Sequence, residues 1–220
     1  MVLWGLYSWN GWLAVCAFLV CLSLLTYFGL LYRGVRRVSA SVMAACFGVL
    51  VAAKLGQVHF VLRPVMFGFL FFGAAYLLVY DTYESLKKEQ RVAGWRFILF
   101  PLLFVLWANM HPSFVLGLVL LALLPAGFLL DRVFLLERGF ARPGWGVYPK
   151  LIMLLLLCFA GSLLNPYFFE LHRSIFSLSQ SEFFMQLHEE WRSPSFQEYS
   201  GQLFEISLFV FVLSAFLGGL

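Results

Sequence analysis

The chain has 220 residues, of which 62% are hydrophobic and 12% charged, with a formal net charge of +4. A soluble domain carries about 25% charged residues, so this composition, with a mean hydropathy of +0.89, excludes a water-soluble globular protein and describes a chain that uses lipid as solvent. The positive balance does not mark a nucleic-acid binder, because the basic residues lie in short loops between apolar runs, where they orient a membrane protein.

Seven apolar runs follow one another along the chain, at roughly 11–32, 39–58, 65–80, 97–108, 113–130, 148–164 and 203–220. A helix needs about 20 mostly apolar residues to cross a bilayer. The fourth run is short by that measure, and it reads as a half-helix or as a span that begins earlier, at Trp95. The fold class expected is therefore all-α: a polytopic transmembrane helix bundle of about seven membrane segments, some half-length, forming a single integral membrane domain over 1–220. The start, Met1-Val2-Leu3-Trp4-Gly5, has no basic residue, and Arg33 follows the first run, which is the wrong polarity for a cleaved signal peptide. The end, Gly218-Gly219-Leu220, has no polar cap, so a domain truncated at both ends is expected. Cys16, Cys21, Cys46 and Cys158 all fall inside apolar runs without metal-ligand spacing and read as small buried hydrophobes.

The loops alternate in charge. Arg33, Arg36 and Arg37 follow the first run; Lys87, Lys88, Arg91 and Arg96 follow the third; Arg132, Arg138, Arg142 and Lys150 follow the fifth. By the positive-inside rule these loops are cytoplasmic. The opposite side receives the N-terminus, the loops near 59–64 and 107–112, and the loop 165–202. All four histidines, His59, His111, His172 and His188, fall on that outer side.

Three outer corners share one pattern, a polar residue followed by proline and an apolar helix: Arg63-Pro64, His111-Pro112 and Asn165-Pro166. Proline suits the first turn of a helix, where no N–H partner is lost, and Asn165 is a good N-cap. Helix N-termini favour anions, phosphate among them. Arg63 adds a full charge and a fork matched to phosphate oxygens, and snorkelling to lipid headgroups is its other reading. In Trp107-Ala108-Asn109-Met110-His111-Pro112, a connection this tight and polar must be buried in protein or line a wet cavity. Trp107 also reads as an interfacial anchor, and Asn109 and His111 either cap the turn or line a site. Lys54, the one lysine inside an apolar run, reads as snorkelling outward or as lining a polar cavity.

In the loop 165–202, Phe168, Leu171, Ile175 and Leu178 recur at helical spacing, with Glu170, Arg173, Ser174, Ser177 and Ser181 opposite. This predicts an amphipathic helix lying in the outer interface. Glu189-Glu190-Trp191-Arg192-Ser193-Pro194 follows as a compact acidic, aromatic and basic cluster. Its carboxylates suit acid/base chemistry, metal binding or sugar recognition, and a solvated loop with an interfacial tryptophan is the plainer reading.

The order Arg63-Pro64, Leu106-Trp107-Ala108-Asn109-Met110-His111, Leu164-Asn165-Pro166-Tyr167 and Glu189-Glu190-Trp191-Arg192-Ser193-Pro194 resembles the GT-C superfamily of membrane glycosyltransferases, which includes the protein mannosyltransferases and the aminoarabinose transferases. The likeness covers about residues 60 to 196 and lies in the order and spacing of short motifs. The resemblance implies transfer of a sugar from a polyprenyl-phosphate carrier on the extracytoplasmic side of the bacterial inner membrane. It implies Arg63, His111, Asn109 and Asn165 as lipid-phosphate contacts, and Glu189, Glu190, Trp191 and His59 as a substrate loop. Glu190 and His111 are the candidates for catalysis. Membrane lipid and the lipid-linked sugar are the implied partners, and a divalent metal stays open because GT-C members differ in metal need. One departure matters: the family's acid usually lies after the first span, whereas no Asp or Glu occurs here before Asp81, which is predicted on the cytoplasmic side. Two competing readings follow, a non-catalytic membrane subunit and a transporter or flippase for a lipid-linked or anionic solute.

Overall fold

The computed structural model describes residues 2–39, 41–59, 63–88, 91–134, 144–183 and 197–217; the side chain of His59 and all of His188, Glu189, Glu190 and Trp191 lie outside that description. Among the described residues there are helices and no strands. We number the helices α1 (Val2–Leu24), continued by a π-helical stretch Leu25–Leu31 into α2 (Tyr32–Val38), then α3 (Val42–Leu55), α4 (Val65–Lys87), α5 (Arg96–Ala108), α6 (Phe114–Phe134), α7 (Val147–Ser162), α8 (Phe169–Ser179) and α9 (Tyr199–Leu217).

Every apolar run of the sequence is helical where it is described, with shifted ends. The first is continuous from Val2 to Val38 except at Asn10 and Gly11, whose backbone leaves the helix. Gly11 has φ of 57°, a conformation glycine tolerates and bulkier residues do not. The break separates an exposed, Trp-rich opening segment from the apolar run that begins at residue 11. Three helices, Val2–Val38, Val65–Lys87 and Phe114–Val133, are long and apolar enough to cross a membrane. Val42–Leu55, Arg96–Ala108 and Val147–Ser162 are shorter. The 13 residues of α5 reach only about 20 Å at 1.5 Å each.

The core lies among α4, α5, α6 and α7, where Phe100, Phe104, Trp107, Phe114, Leu154 and Cys158 are fully buried. The outward faces are equally apolar: Ile98, Leu116, Leu123 and Leu156 are all exposed. A water-soluble bundle would place polar residues there, so this surface is suited to lipid. Cys16, Cys21 and Cys46 are exposed on it, and only Cys158 is buried, which corrects the expectation that all four would be buried.

Lipid tails are as apolar as leucine, so helices in a bilayer associate through close packing at small residues. The most extensive helix contact, between α5 and α7, is built this way. A Cβ on Gly161 of α7 would lie 2.8 Å from the Pro101 carbonyl oxygen of α5. That neighbour is backbone and cannot move aside.

The bundle has two chemically distinct ends. At one, the basic end, Arg37 pairs with Asp81 at 3.0 Å and Lys88 with Glu84 at 3.8 Å. Arg96, expected in a solvated loop, is instead 6% exposed, donating from Nη2 to the Asp81 carbonyl and to Ser85 Oγ. At the other, the corner end, α4 and α6 begin and α5 and α7 finish.

The Gly161 contact generates a prediction. Gly161→Ala lowers stability by about 1–3 kcal/mol, the usual penalty for overfilling a packed site. Gly127→Ala, whose Cβ enters open space, gives no loss, since alanine is the better helix former. Denaturant unfolding in detergent reads both; equal effects at the two glycines would remove the close-approach account.

Candidate functional site

The corner end is held by a short polar network around the α5–α6 turn. Trp107 is fully buried, packed 5.7 Å from Phe104 and 6.0 Å from Phe71, ring centre to ring centre. Its burial corrects the reading of Trp107 as an interfacial anchor. Its Nε1–H donates to Ser113 Oγ at 3.0 Å, as a buried indole requires. Ser113 Oγ lies 2.8 Å from His111 Nδ1, and the Ser113 backbone N–H donates to the same nitrogen at 3.2 Å. A nitrogen that accepts an N–H carries no proton of its own, so His111 is assigned the tautomer protonated at Nε2. His111 thereby caps the start of α6, with Pro112 in the turn before it.

The first turns of α4 lie against this network. A Cβ on Gly68 would lie 2.7 Å from Ser113 Oγ and 3.0 Å from His111 Nδ1. Glycine at 68 is what lets the helix that starts at Arg63-Pro64 meet the His111 turn. Arg63 and Pro64 are exposed, and their carbonyls accept from the Met66 and Phe67 N–H groups at 3.3 and 3.0 Å.

The two asparagines are turn builders. Asn109 Nδ2 donates to the Val105 and Leu164 carbonyls, both at 2.8 Å, and so ties the end of α5 to the end of α7. Asn165 Nδ2 donates to the Ser162 and Phe168 carbonyls, and its Oδ1 accepts from the Tyr167 N–H at 2.8 Å. The helix expected from Pro166 starts later, at Phe169. An Asx turn at Asn165 and the positive φ of Phe168, 48°, redirect the chain first. All the hydrogen-bonding atoms of the Asn165 side chain are used within its own turn.

The structure therefore brings Arg63, Asn109, His111 and Asn165 to one end of the bundle. Glu189, Glu190 and Trp191 lie outside the described residues. Lys54 is exposed, with Nζ 3.0 Å from Gln57 Oε1 and 5.8 Å from the centre of the Tyr199 ring. Among the described residues no three His, Cys, Asp or Glu side chains converge to hold a metal ion.

Sequence reading missed one arrangement. His172 of α8 sits among Phe114, Phe159 and Phe169, with ring-centre distances of 5.0, 5.2 and 5.9 Å. Ser162 Oγ donates to the Phe159 carbonyl at 2.7 Å, so it accepts from His172 Nε2 at 3.0 Å. Nδ1 is then the unprotonated nitrogen, buried without a hydrogen-bond partner. Burial lowers the His172 pKa from its ordinary value, with the nearby Phe168 carbonyl opposing the shift. On the exposed side of α8, Glu170 and Arg173 pair with each other at 3.6 Å. The periodicity of α8 foretold its amphipathic face, and Leu171 and Ile175 do pack on the core. No pattern in the chain pointed to a histidine as the docking residue.

A neutral His172 fits this apolar cage and a protonated one does not. Because its pKa is lowered in the docked state, docking is strongest above about pH 6.5 and weakens as pH falls through the depressed value. Hydrogen exchange of residues 169–179, corrected for intrinsic rates, should therefore rise on acidification. His172→Phe keeps the ring and removes the proton, and its exchange should lose that pH dependence. An unchanged response in His172→Phe would assign the effect elsewhere. No protein-family model, no curated protein and no solved structure matches the chain.

Proposed function

We propose that the chain is a GT-C-like membrane glycosyltransferase whose corner end binds the phosphate of a polyprenyl-phosphate sugar. In this reading α1, α3, α4, α5, α6, α7 and α9 supply seven membrane segments of a bacterial plasma membrane. The corner end and the 165–202 loop are extracytoplasmic, and α8 rests in the outer interface. The short helices cross where the bilayer thins locally.

The observation that carries the proposal is the contact of Gly68 with the His111 turn, which sets the helix that starts at Arg63-Pro64 against the imidazole that caps α6. A guanidinium and an imidazole N–H are donors that a phosphate monoester or diester accepts. Transfer breaks the bond between the anomeric carbon and the carrier's phosphate oxygen. It forms a bond from that carbon to the acceptor oxygen, and the acceptor's proton passes to a base. The leaving polyprenyl phosphate gains negative charge, which Arg63 and His111 would stabilise. With Nδ1 occupied and Nε2 protonated, His111 suits donation to that phosphate. Glu190 remains the family-derived candidate for the base.

One observation favours a second reading, a lipid-phosphate-binding subunit without its own transfer activity. The first acidic residue of the chain, Asp81, sits at the basic end in an ion pair with Arg37, remote from the corner end.

Full-length protein in vesicles, supplied with polyprenyl-phosphate sugars, separates the readings. As a glycosyltransferase it should form product, and Arg63→Ala should lower turnover on the order of 100-fold, the scale of a lost electrostatic contact to a leaving oxyanion. His111→Ala should lower it less. Donor binding sensitive to Arg63→Ala, without turnover, establishes the subunit reading. Transfer or binding indifferent to both substitutions removes the site.

A further inference from the structure

The first helical run is too long for one crossing. Val2–Val38 holds 37 residues, about 55 Å at 1.5 Å each, against about 30 Å of hydrocarbon core. The first charge of the chain, Arg33, marks where the far end of the run leaves the apolar layer. Residues 12–32 already reach about 30 Å, one full crossing. Residues 2–9 are left over, and they lie beyond the backbone break at Asn10 and Gly11.

Packing places that break at the corner end. The run and α4 lie side by side in the same direction: Phe18 meets Phe67 with ring centres 5.9 Å apart, and a Cβ on Gly34 would lie 3.6 Å from Leu77 Cδ2. Gly11 is about two turns before Phe18, whereas the α4 start at Pro64 is about one turn before Phe67. Residues 2–9 thus stand past the first turn of α4, at the end opposite Arg33, Arg36 and Arg37.

Their side chains do not suit water. Residues 2–9 carry no charge, and the Ser8 hydroxyl donates to the Gly5 carbonyl within the segment at 3.0 Å. Trp4 is 73% exposed, Trp9 80% and Trp12 66%. Tyr7 lies 6.2 Å from Trp4 and 5.3 Å from Trp12, ring centre to ring centre, so one aromatic group spans the break. The middle of a bilayer does not suit them either, because the indole N–H and phenol groups would find no partner there. Trp and Tyr concentrate instead at headgroup level, with the ring among the acyl chains and the polar tip in water. Gly11, with φ of 57° and ψ of −149°, occupies a region open to glycine and strained for other residues. It lets the chain turn out of the line of the span.

We propose that residues 2–9 form an interfacial anchor, an aromatic segment embedded at the headgroup–acyl boundary of the leaflet at the corner end and hinged on Asn10 and Gly11. Its partner is the lipid interface itself. The proposal rests on α1 crossing the bilayer, as in the reading above, and not on sugar transfer.

The test uses full-length protein labelled with fluorotryptophan in phosphatidylcholine nanodiscs, read by fluorine NMR. Trp4→Phe and Trp9→Phe assign the two lines by their loss. A lipid nitroxide just below the headgroup should broaden both lines away, and one at the acyl terminus should leave them. Gly11→Ala should weaken the first effect. Gly5→Ala, whose Cβ meets nothing within 4 Å, should leave it unchanged. Lines broadened by a soluble gadolinium chelate and by neither lipid would place the segment in water. Lines untouched by every probe would place it against protein, a second copy of the chain included. Either result overturns the proposal, and so does stronger broadening from the acyl terminus. An effect of Gly11→Ala no greater than that of Gly5→Ala overturns the hinge. Should Gly11→Ala fail to fold, the nitroxide comparison in the unsubstituted protein decides. Resistance to alkaline extraction from vesicles reads the crossing separately, so protein that stays with lipid while Trp4 and Trp9 report the wrong depth fails this proposal alone.

Discussion

The corner end depends on how closely α7 approaches α5. Gly161 against the Pro101 carbonyl sets that distance. Because the two helices then finish side by side, Asn109 at the end of α5 can reach the Leu164 carbonyl beyond α7. That bond fixes the chain direction into the Asn165 turn, and the turn aims α8 so that His172 reaches Ser162. A side chain at 161 would push the two helix ends apart and break this series at its first member. The same dependence repeats across the bundle, where Gly68 admits the His111 and Ser113 side chains against α4.

Polar atoms in such a structure serve the backbone first. In a bilayer an unsatisfied carbonyl or N–H costs several kcal/mol, on the order of a whole hydrogen bond. Every helix end near hydrocarbon must therefore find a partner. Asn109, Asn165 and Ser113 meet that requirement at the corner end, which is why two asparagines with the look of ligands turn out to hold carbonyls. His111 serves the backbone as well, with Nδ1 accepting from the Ser113 N–H at the start of α6.

Most of the helical layout was legible in the sequence, because a run of apolar residues ended by proline or by charge has few other outcomes in lipid. The three proline corners marked the corner end. The lateral packing was not legible. Inward and outward faces are equally apolar, so nothing in the pattern separates buried Phe104 from exposed Leu106. The burial of Arg96 was hidden for a related reason. Its charge places it in a loop by composition, while its partners, the Asp81 carbonyl and Ser85, come from a helix 11 to 15 residues away. His172 was invisible because an aromatic cage assembled from α6, α7 and α8 has no signature in any one of them.

Helices α4 and α6 join the two ends of the molecule in one electrostatic scheme. Both begin at the corner end, where the partial positive charge of a helix N-terminus favours an anion, and both finish at the basic end, where the partial charge is negative. Lys87 and Arg132 sit in the last turns and complement that negative charge whatever else they bind. Their side chains reach back along the helix, as helical side chains do, so Lys87 stands over the Tyr83 ring one turn earlier. Two helices that run in the same direction thus present opposite partial charges at the two ends of the bundle, and at the basic end side-chain cations offset that charge.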